Sequence, residues 1–379
     1  MDLHAPCSAL SEYPVSDSKT RQAATTPRDA GREMAASPAP DIDCARLGPW
    51  LAAHVDGFAG PVAAEKFPGG QSNPTYRLSA ASGAYVLRRK PSGPLLPSAH
   101  AVDREYRLIA ALHPTGFPVA RPHALCEDDG VIGSAFYVME LVEGRTFWDG
   151  SMPEAAPAER RAVYEAMIDR LADLHAIDPD AVGLGDYGPP GNYFERQVRR
   201  WTKQYRAAQT DDLPEVEKLI DWLPATLPRQ DRVSIIHGDY RIDNIIYAPD
   251  APRVAAVLDW ELSTLGDPLA DFAYLAMNWA MPSGEQNASI GGLDLPALGI
   301  PTLDEITARY CARTGRDALL DLDWYFAFNL FRLLGIVQGI KKRVRDGNAS
   351  SAKATEMAKR VPMLAAAAWG FARKAGAPA

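Results

Sequence analysis

Two hydrophobic periodicities divide this chain, and their order constrains its fold more than any single motif. From about residue 60 to 145, apolar and polar residues alternate in short runs around Gly-rich punctuation, as in EKFPGGQSNPTYRLSAASGAYVLRRKP and PHALCEDDGVIGSAFYVMELVEG. A period of two turns one face of a strand towards a core. The first run reads as a strand, a loop and a hairpin; the second reads as two strands joined by an acidic, glycine-containing turn. Between them, SAHAVDREYRLIAALHPT sets Ala101, Tyr106, Leu108 and Leu112 at helical intervals, with Ser98 as candidate N-cap and Pro114 as the stop. Upstream, DCARLGPWLAAHV also has helical spacing. Beyond Gly144 helices dominate: ERRAVYEAMIDRLADLHAI places Val163, Met167, Ile168, Leu171 and Leu174 on one face, and helical spacing returns from Thr302. The expectation is an α+β, two-lobed chain. A small antiparallel-sheet lobe with one inserted helix spans 41–143, a larger, mainly helical lobe spans 144–379, and a ligand cleft lies between them.

Composition narrows the function classes. With 379 residues, 47% hydrophobic and 23% charged, the chain can build a large core without disulfides. Cys7, Cys44, Cys126 and Cys311 show neither zinc-cluster nor disulfide spacing, which points to a reducing compartment and the cytoplasm. A formal charge of -8 argues against a general nucleic-acid binder, so any phosphate must be held locally. No apolar run reaches the length of a membrane span, and MDLHAPCSAL lacks the form of a secretory signal. Residues 1–40 are Ala, Ser, Thr, Pro and charge with little periodicity, the composition of a flexible leader. Arg21, Arg28 and Arg32 suit a transit peptide, whereas Asp17, Asp29 and Glu33 oppose one.

The stretch HGDYRIDNIIYAPD holds the densest chemistry, in the pattern H-x-D-x-x-x-x-N: His237, Asp239 and Asn244. This spacing lets a loop aim a carboxylate at a substrate hydroxyl while an amide oxygen ligates Mg2+. Asp259, at the end of VAAVLDW, supplies a second carboxylate, and hard oxygen ligands suit magnesium. Taken alone, the pattern is weak: Asp239 and Asp243 read as turn caps and Asp259 as the end of a strand. Three further features stand in order upstream. FPGGQSNPTYRL, with Gly69 and Gly70 before the polar Gln71, Ser72 and Asn73, is either a phosphate-covering loop or a plain hairpin turn. AYVLRRKP ends a strand in Arg88, Arg89 and Lys90, and Glu105 on the next helix is placed to pair with a strand cation.

These motifs, with VLDWELSTLGDPLADFAYL and FYVMELVEG, resemble the aminoglycoside phosphotransferase and choline kinase superfamily, a branch of the protein-kinase-like fold. Within it the chain is most similar to kinase-like domains fused to, or encoded beside, acyl-CoA dehydrogenases. The resemblance runs from about Pro61 to Asp271. It implies ATP as phosphoryl donor, Mg2+ held by Asn244 and Asp259, and Asp239 orienting or deprotonating the acceptor hydroxyl. His237 would brace the loop, Arg241 would reach either the phosphoryl group or Asp239, and Glu261 would assist the metal or form an ion pair. Gly70, Gln71, Ser72 and Asn73 would cover the phosphates. Backbone from Glu140 to Val142 would bond adenine, with Met139 packed on the base. Asp267 and Asp271 would fix the catalytic loop. One departure concerns the phosphate-holding strand lysine, which aligns with Arg88; Lys90 is the alternative if the register slips. Arg forms forked bonds that Lys cannot, so the exchange is not neutral.

The acceptor should be chosen by PPGNYFERQVRRWTKQYRA and by the helices around LDWYFAFNLFRLLGIVQGIKKR. The first joins Tyr193, Phe194, Trp201 and Tyr205 to Arg196, Arg199, Arg200 and Lys203, which reads either as an amphipathic helix with a solvated basic face or as a binding surface. Basic character favours an anionic or CoA-linked hydroxyl compound over the cationic aminoglycosides and choline. An aminoglycoside- or choline-type kinase and a silent nucleotide-binding regulator are the alternatives, and a homodimer is left open.

Overall fold

The computed structural model describes residues 42–67, 73–91, 101–283, 288–319, 322–347 and 352–378. The leader of residues 1–40, Ser98, and Gly69 to Ser72 lie outside the described residues. Helix α1 (Cys44–His54) starts where the Asp43 carboxylate accepts from the Ala45 and Arg46 amides. Strands β1 (Ala63–Lys66), β2 (Thr75–Ala80) and β3 (Gly83–Arg89) follow as antiparallel neighbours. Helix α2 (Val102–Leu112) crosses to β4 (Pro122–Cys126), and a one-turn helix α3 (Asp129–Ile132), capped by Asp128, forms the acidic turn before β5 (Phe136–Glu140). The sheet order is β1-β2-β3-β5-β4.

Alternation gives this sheet two different faces. Leu78, Leu87, Phe136 and Val138 point outwards and pack under Leu47 and Leu51 of α1. Tyr137, between Phe136 and Val138, points the other way and joins Val102, Leu108 and Ile109 of α2 in a core that continues into the large lobe. Arg88 is paired across the ladder with Tyr137, so it shares that inner face.

The large lobe opens with α4 (Pro157–Ala176), whose Val163, Met167, Ile168, Leu171 and Leu174 are all buried. Then come α5 (Tyr193–Ala208), α6 (Pro214–Ala225), β6 (Ser234–Ile236), β7 (Ile245–Tyr247), β8 (Val254–Val257), β9 (Thr264–Gly266) and α7 (Pro268–Ala280). After the single turn α8 (Leu295–Leu298), helices α9 (Leu303–Thr314), α10 (Leu322–Arg345), α11 (Ala352–Ala358) and α12 (Val361–Lys374) complete it. Tyr193, Phe194, Trp201 and Tyr205 of α5 are buried, and Phe194 packs edge-on against Trp324, Tyr325 and Phe328 of α10. Among the described residues no helix is long and apolar enough to cross a membrane.

Strand pairing in the middle of this lobe positions the chemistry. β7 pairs with β8, and β6 pairs with β9, all antiparallel. Residues 234–266 therefore form one long hairpin, interrupted on both arms at the same level. Loop 237–244 leaves one arm there and loop 258–263 leaves the other, so segments some twenty positions apart in sequence lie side by side.

Candidate active site

Loop 237–244 is built to hold one conformation. Gly238 has φ of 84°, and a Cβ there would meet the Leu262 carbonyl oxygen at 2.6 Å, so only glycine fits. Its amide donates to Asp271 Oδ1 at 2.8 Å, and the His237 amide donates to Asp271 Oδ2. Asp271 is fully buried on α7. Desolvation pushes its carboxyl up, but the His175 ring, 3.5 Å away, the charge of His237 and the hydrogen bond from the Gly238 amide pull it further down, to a net fall below the usual aspartate range. His237 Nε2 lies 2.7 Å from the Leu258 carbonyl and Nδ1 accepts from the Asp239 amide at 3.1 Å, so the ring ties the two loops together. Tyr240 anchors the loop from below by donating to the Met167 carbonyl at 2.9 Å.

Both carboxylate oxygens of Asp239 are engaged. Tyr274 Oη donates to Oδ1 at 2.6 Å, and Asn244 Nδ2 lies 3.2 Å from Oδ2 and 2.9 Å from the Asp239 carbonyl. Burial, then the charge of Asp239, raises the Tyr274 phenol, which keeps it a proton donor. With its nitrogen turned to Asp239, Asn244 has its amide oxygen on the opposite side. Arg241 Nη2 bonds Asp243 at 2.7 Å, while its Nε lies 3.6 Å from Asp239 Oδ1, so this guanidinium is held mainly by Asp243.

Across from this loop, Asp259 adopts the left-handed region at φ 63°, ψ 62°. A non-glycine residue there is strained by about 1 kcal/mol, and aspartate is among the residues that tolerate it best. Its Oδ1 accepts from Arg88 Nη2 at 2.9 Å, and Arg88 Nε lies 2.8 Å from Glu105 Oε2. Glu261 Oε2 sits 3.5 Å from the same guanidinium, which makes Glu261 an ion-pair partner. Arg88 thus links the sheet, α2 and the 258–263 loop. Burial pushes the Glu105 carboxyl up to about 7, against the opposing pull of Arg88 and the Tyr137 hydroxyl.

The three strand cations go separate ways. Arg88 enters the site, Arg89 turns to the other face and donates to Ser134 at 3.0 Å, and Lys90 pairs with Asp103 at 3.3 Å near the surface. Arg88 and Lys90 share a strand parity, so distance along the strand, and not face, separates them. Asn73, read from sequence as part of a phosphate-covering tip, is instead buried with its side chain donating to Glu105 at 2.8 Å. Met139 is half-buried at the end of β5. The Glu140 amide is taken by the Arg121 carbonyl at 2.8 Å, so a base would meet the Glu140 carbonyl or the connector beyond it, where Val142 is half-buried. Asp267 caps α7 through the Leu269 amide at 2.9 Å, whereas Asp271 takes the loop amides.

Two participants escaped the sequence reading. Tyr274 lies three positions after Asp271 on α7, so one face of an otherwise apolar helix serves the loop backbone and the Asp239 carboxylate. That spacing, in DFAY, is the signal that could have found it. Arg332 of α10, almost fully buried, donates to the Gly238 carbonyl and lies 5.3 Å from the Tyr274 ring centroid. Asp239, Asn244 and Asp259 offer oxygen ligands only, which suits a hard cation. Among the described residues no group of three or more His, Cys, Asp or Glu forms a metal cage. Magnesium bound partly by substrate phosphates and water needs no such cage.

Comparison with known proteins agrees with this architecture. A family model described as the phosphotransferase enzyme family matches residues 63–315. Acyl-CoA dehydrogenase family member 10 of Mus musculus is 46% identical over 318 residues, covering 84% of this chain but 30% of that protein. Family member 11 of Gallus gallus is 44% identical over 332 residues, covering 86% of this chain and 43% of its own length. The chain therefore spans less than half of these curated relatives. A crystal structure from Ralstonia eutropha, provisionally named an aminoglycoside phosphotransferase, has a TM-score of 0.81 at 49% identity, covering 88% of this chain and 99% of that one. Spectinomycin phosphotransferase, at 12% identity and TM-score 0.58 over 88% of this chain and 100% of that one, shares the fold alone. The chain belongs to the phosphotransferase enzyme family and has its protein-kinase-like fold.

Proposed function

We propose that this protein transfers the γ-phosphoryl group of ATP to a hydroxyl of a small anionic acceptor, with a hydroxyacyl-CoA or related metabolite as the leading class, in the cytoplasm. The observation that carries this reading is the carboxylate of Asp239, oriented by Tyr274 and Asn244 and set beside Asp259 by the interrupted hairpin. Asp239 orients the acceptor hydroxyl and takes its proton as the oxygen bonds to phosphorus and the bond to the leaving ADP oxygen breaks. Asn244 and Asp259 would hold Mg2+, which neutralises phosphate charge when bound. Arg88 supplies a fixed forked cation to the donor phosphates. Since the reaction needs little covalent help from protein, positioning and electrostatics account for most of the barrier lowering.

The CoA-linked acceptor is supported by the names of the curated relatives and by the basic residues of α5. In an ATP-consumption assay over hydroxyacyl-CoAs, hydroxy acids, amino alcohols and aminoglycosides, the first class should turn over best. Turnover confined to cationic acceptors would sink the choice of acceptor. Asp239→Asn should reduce transfer about a thousandfold while Mg-nucleotide binding changes little. Nucleotide binding without turnover of any acceptor would identify a regulator in place of an enzyme.

A further inference from the structure

A cavity of about 680 Å3 opens beside Gly238, at the foot of the loop that carries Asp239. Four arginines line it: Arg104 from α2, Arg196 and Arg200 from α5, and Arg332 from α10. Glu261 is the acidic residue in its wall and lies 3.5 Å from Arg88. Among the described residues, the hydrogen bonds of these arginines run to neutral groups, although the Glu195 carboxylate acts on Arg196 and Asp186 on Arg104 through their charges. Arg104 donates to the Tyr187 and Ser263 carbonyls, Arg196 to those of Pro190 and Gly191, and Arg332 to that of Gly238. Arg200 lies over the Trp201 ring at 5.3 Å. Elsewhere in this large lobe some arginines meet carboxylates, as Arg309 does with Asp169 and Arg206 with Glu217, while Arg160 and Arg232 donate to carbonyls away from this cavity; what sets the cavity apart is four guanidinium groups in one wall. Carbonyl dipoles satisfy individual N–H donors without cancelling the charge, and each guanidinium has five such donors. Four clustered positive charges in a chain of net charge -8 therefore leave a local potential that favours an anion.

Shape adds a second constraint. A neighbouring cavity of about 590 Å3, walled largely by residues 185–191, shares Arg104, Pro189 and Arg196 with the first. Arg196 and Arg200 are one helical turn apart, so their side chains leave the same face of α5. A ligand running from Gly238 into the second cavity would pass the wall that Arg104, Pro189 and Arg196 share.

We propose that Arg196 and Arg200 determine acceptor specificity. They recognise a phosphate or carboxylate remote from the reacting hydroxyl, on an acceptor long enough to run from Gly238 past Arg196 into the second cavity. The proposal rests on the phosphotransferase reading above and deepens it.

The test compares one hydroxyacyl group in three forms: its coenzyme A thioester, its pantetheine thioester, which lacks the phosphates, and its free acid. Recognition of phosphate gives the coenzyme A ester a KM about tenfold or more below the other two; recognition of carboxylate lowers KM for the free acid as well. In either case Arg200→Gln, at an exposed position, and Arg196→Gln each raise that KM about tenfold with little change in kcat. Arg196→Lys, which keeps a charge, recovers part of the loss. Equal KM values for the pantetheine ester and both anionic forms, or variants that leave the ranking intact, overturn the proposal. If no form is phosphorylated, calorimetric titration of coenzyme A and of the free acid into protein saturated with Mg2+ and a non-hydrolysable ATP analogue decides it separately. Binding weakened by both Gln variants upholds the anion site while the transfer reading falls. Binding indifferent to them, or absent, overturns the site.

Discussion

Loop 237–244 and the facing surface of α5 border the same space, yet their polar groups are settled in opposite ways. Both oxygens of Asp239 and both nitrogens of His237 in the loop, and both oxygens of Asp271 beneath it on α7, have partners inside the protein. On α5, among the described residues, Arg196 hydrogen-bonds carbonyls and Arg200 lies over an aromatic face. The difference teaches where preorganisation is invested. The groups proposed to act on the reacting atoms are held by the protein itself, as electrostatic catalysis requires. The arginines proposed to select the ligand lack a hydrogen-bonded carboxylate among the described residues and keep a charge for an anion to meet.

The comparison is broken most severely by removing the loop's anchor. Asp271→Ala leaves two buried amides unpaired and removes a carboxylate held among histidines, so urea unfolding should show a loss of about 3 kcal/mol. The same measurement on Arg200→Gln should show little change; equal losses would mean that the two regions do not differ in kind. Next in size is Arg88→Met, expected to raise the nucleotide KM about ten- to a hundredfold, with Lys90→Met within about twofold of wild type. Loss confined to the Lys90 variant would move the phosphate cation out of the Asp259 cluster. Tyr274→Phe should lower kcat about tenfold and leave the acceptor KM nearly unchanged, because it frees Asp239 to turn without touching the arginines.

The smallest effect sharpens the contrast through pH. The Glu105 carboxyl is raised from 4.5 to about 7, so between those values the folded protein holds a proton that the unfolded chain releases. Stability from this group is full below 4.5 and is lost as pH rises through 7. Relative to Glu105→Gln, wild-type unfolding free energy should therefore fall by about 1 kcal/mol from pH 6 to pH 7. A flat difference would mean that Arg88 holds Glu105 ionised throughout.

Much of this architecture is legible in local pattern. Period two over β2, β3 and β5 and period 3.6 over α4 follow from which side chains must leave water, and neighbours in sequence carry that information. H-x-D-x-x-x-x-N is legible for the same reason, since one loop places all three residues. The fate of Asn73 was not legible, because a polar residue in a Gly-rich stretch reads as a tip until its partner, Glu105, is known. Asp267 and Asp271 look alike in GDPLADF, yet the start of α7 turns the first to its own helix and the second to the loop. Arg88, Arg89 and Lys90 read as one positive cluster, and strand alternation with position along β3 sends them to three different partners.

By itself, the sequence determined the α+β plan and picked out Asp239, Asn244 and Asp259 as candidates, because short-range periodicity and motif spacing are properties of contiguous chain. Only the tertiary structure decided that β6 pairs with β9 around the β7–β8 hairpin, that Arg88 bonds an aspartate 171 positions away, and that Tyr274 orients Asp239. It also decided that arginines from α2, α5 and α10 surround one cavity. Such contacts depend on which surfaces pack together, and many chain paths with the same local preferences would pack them differently.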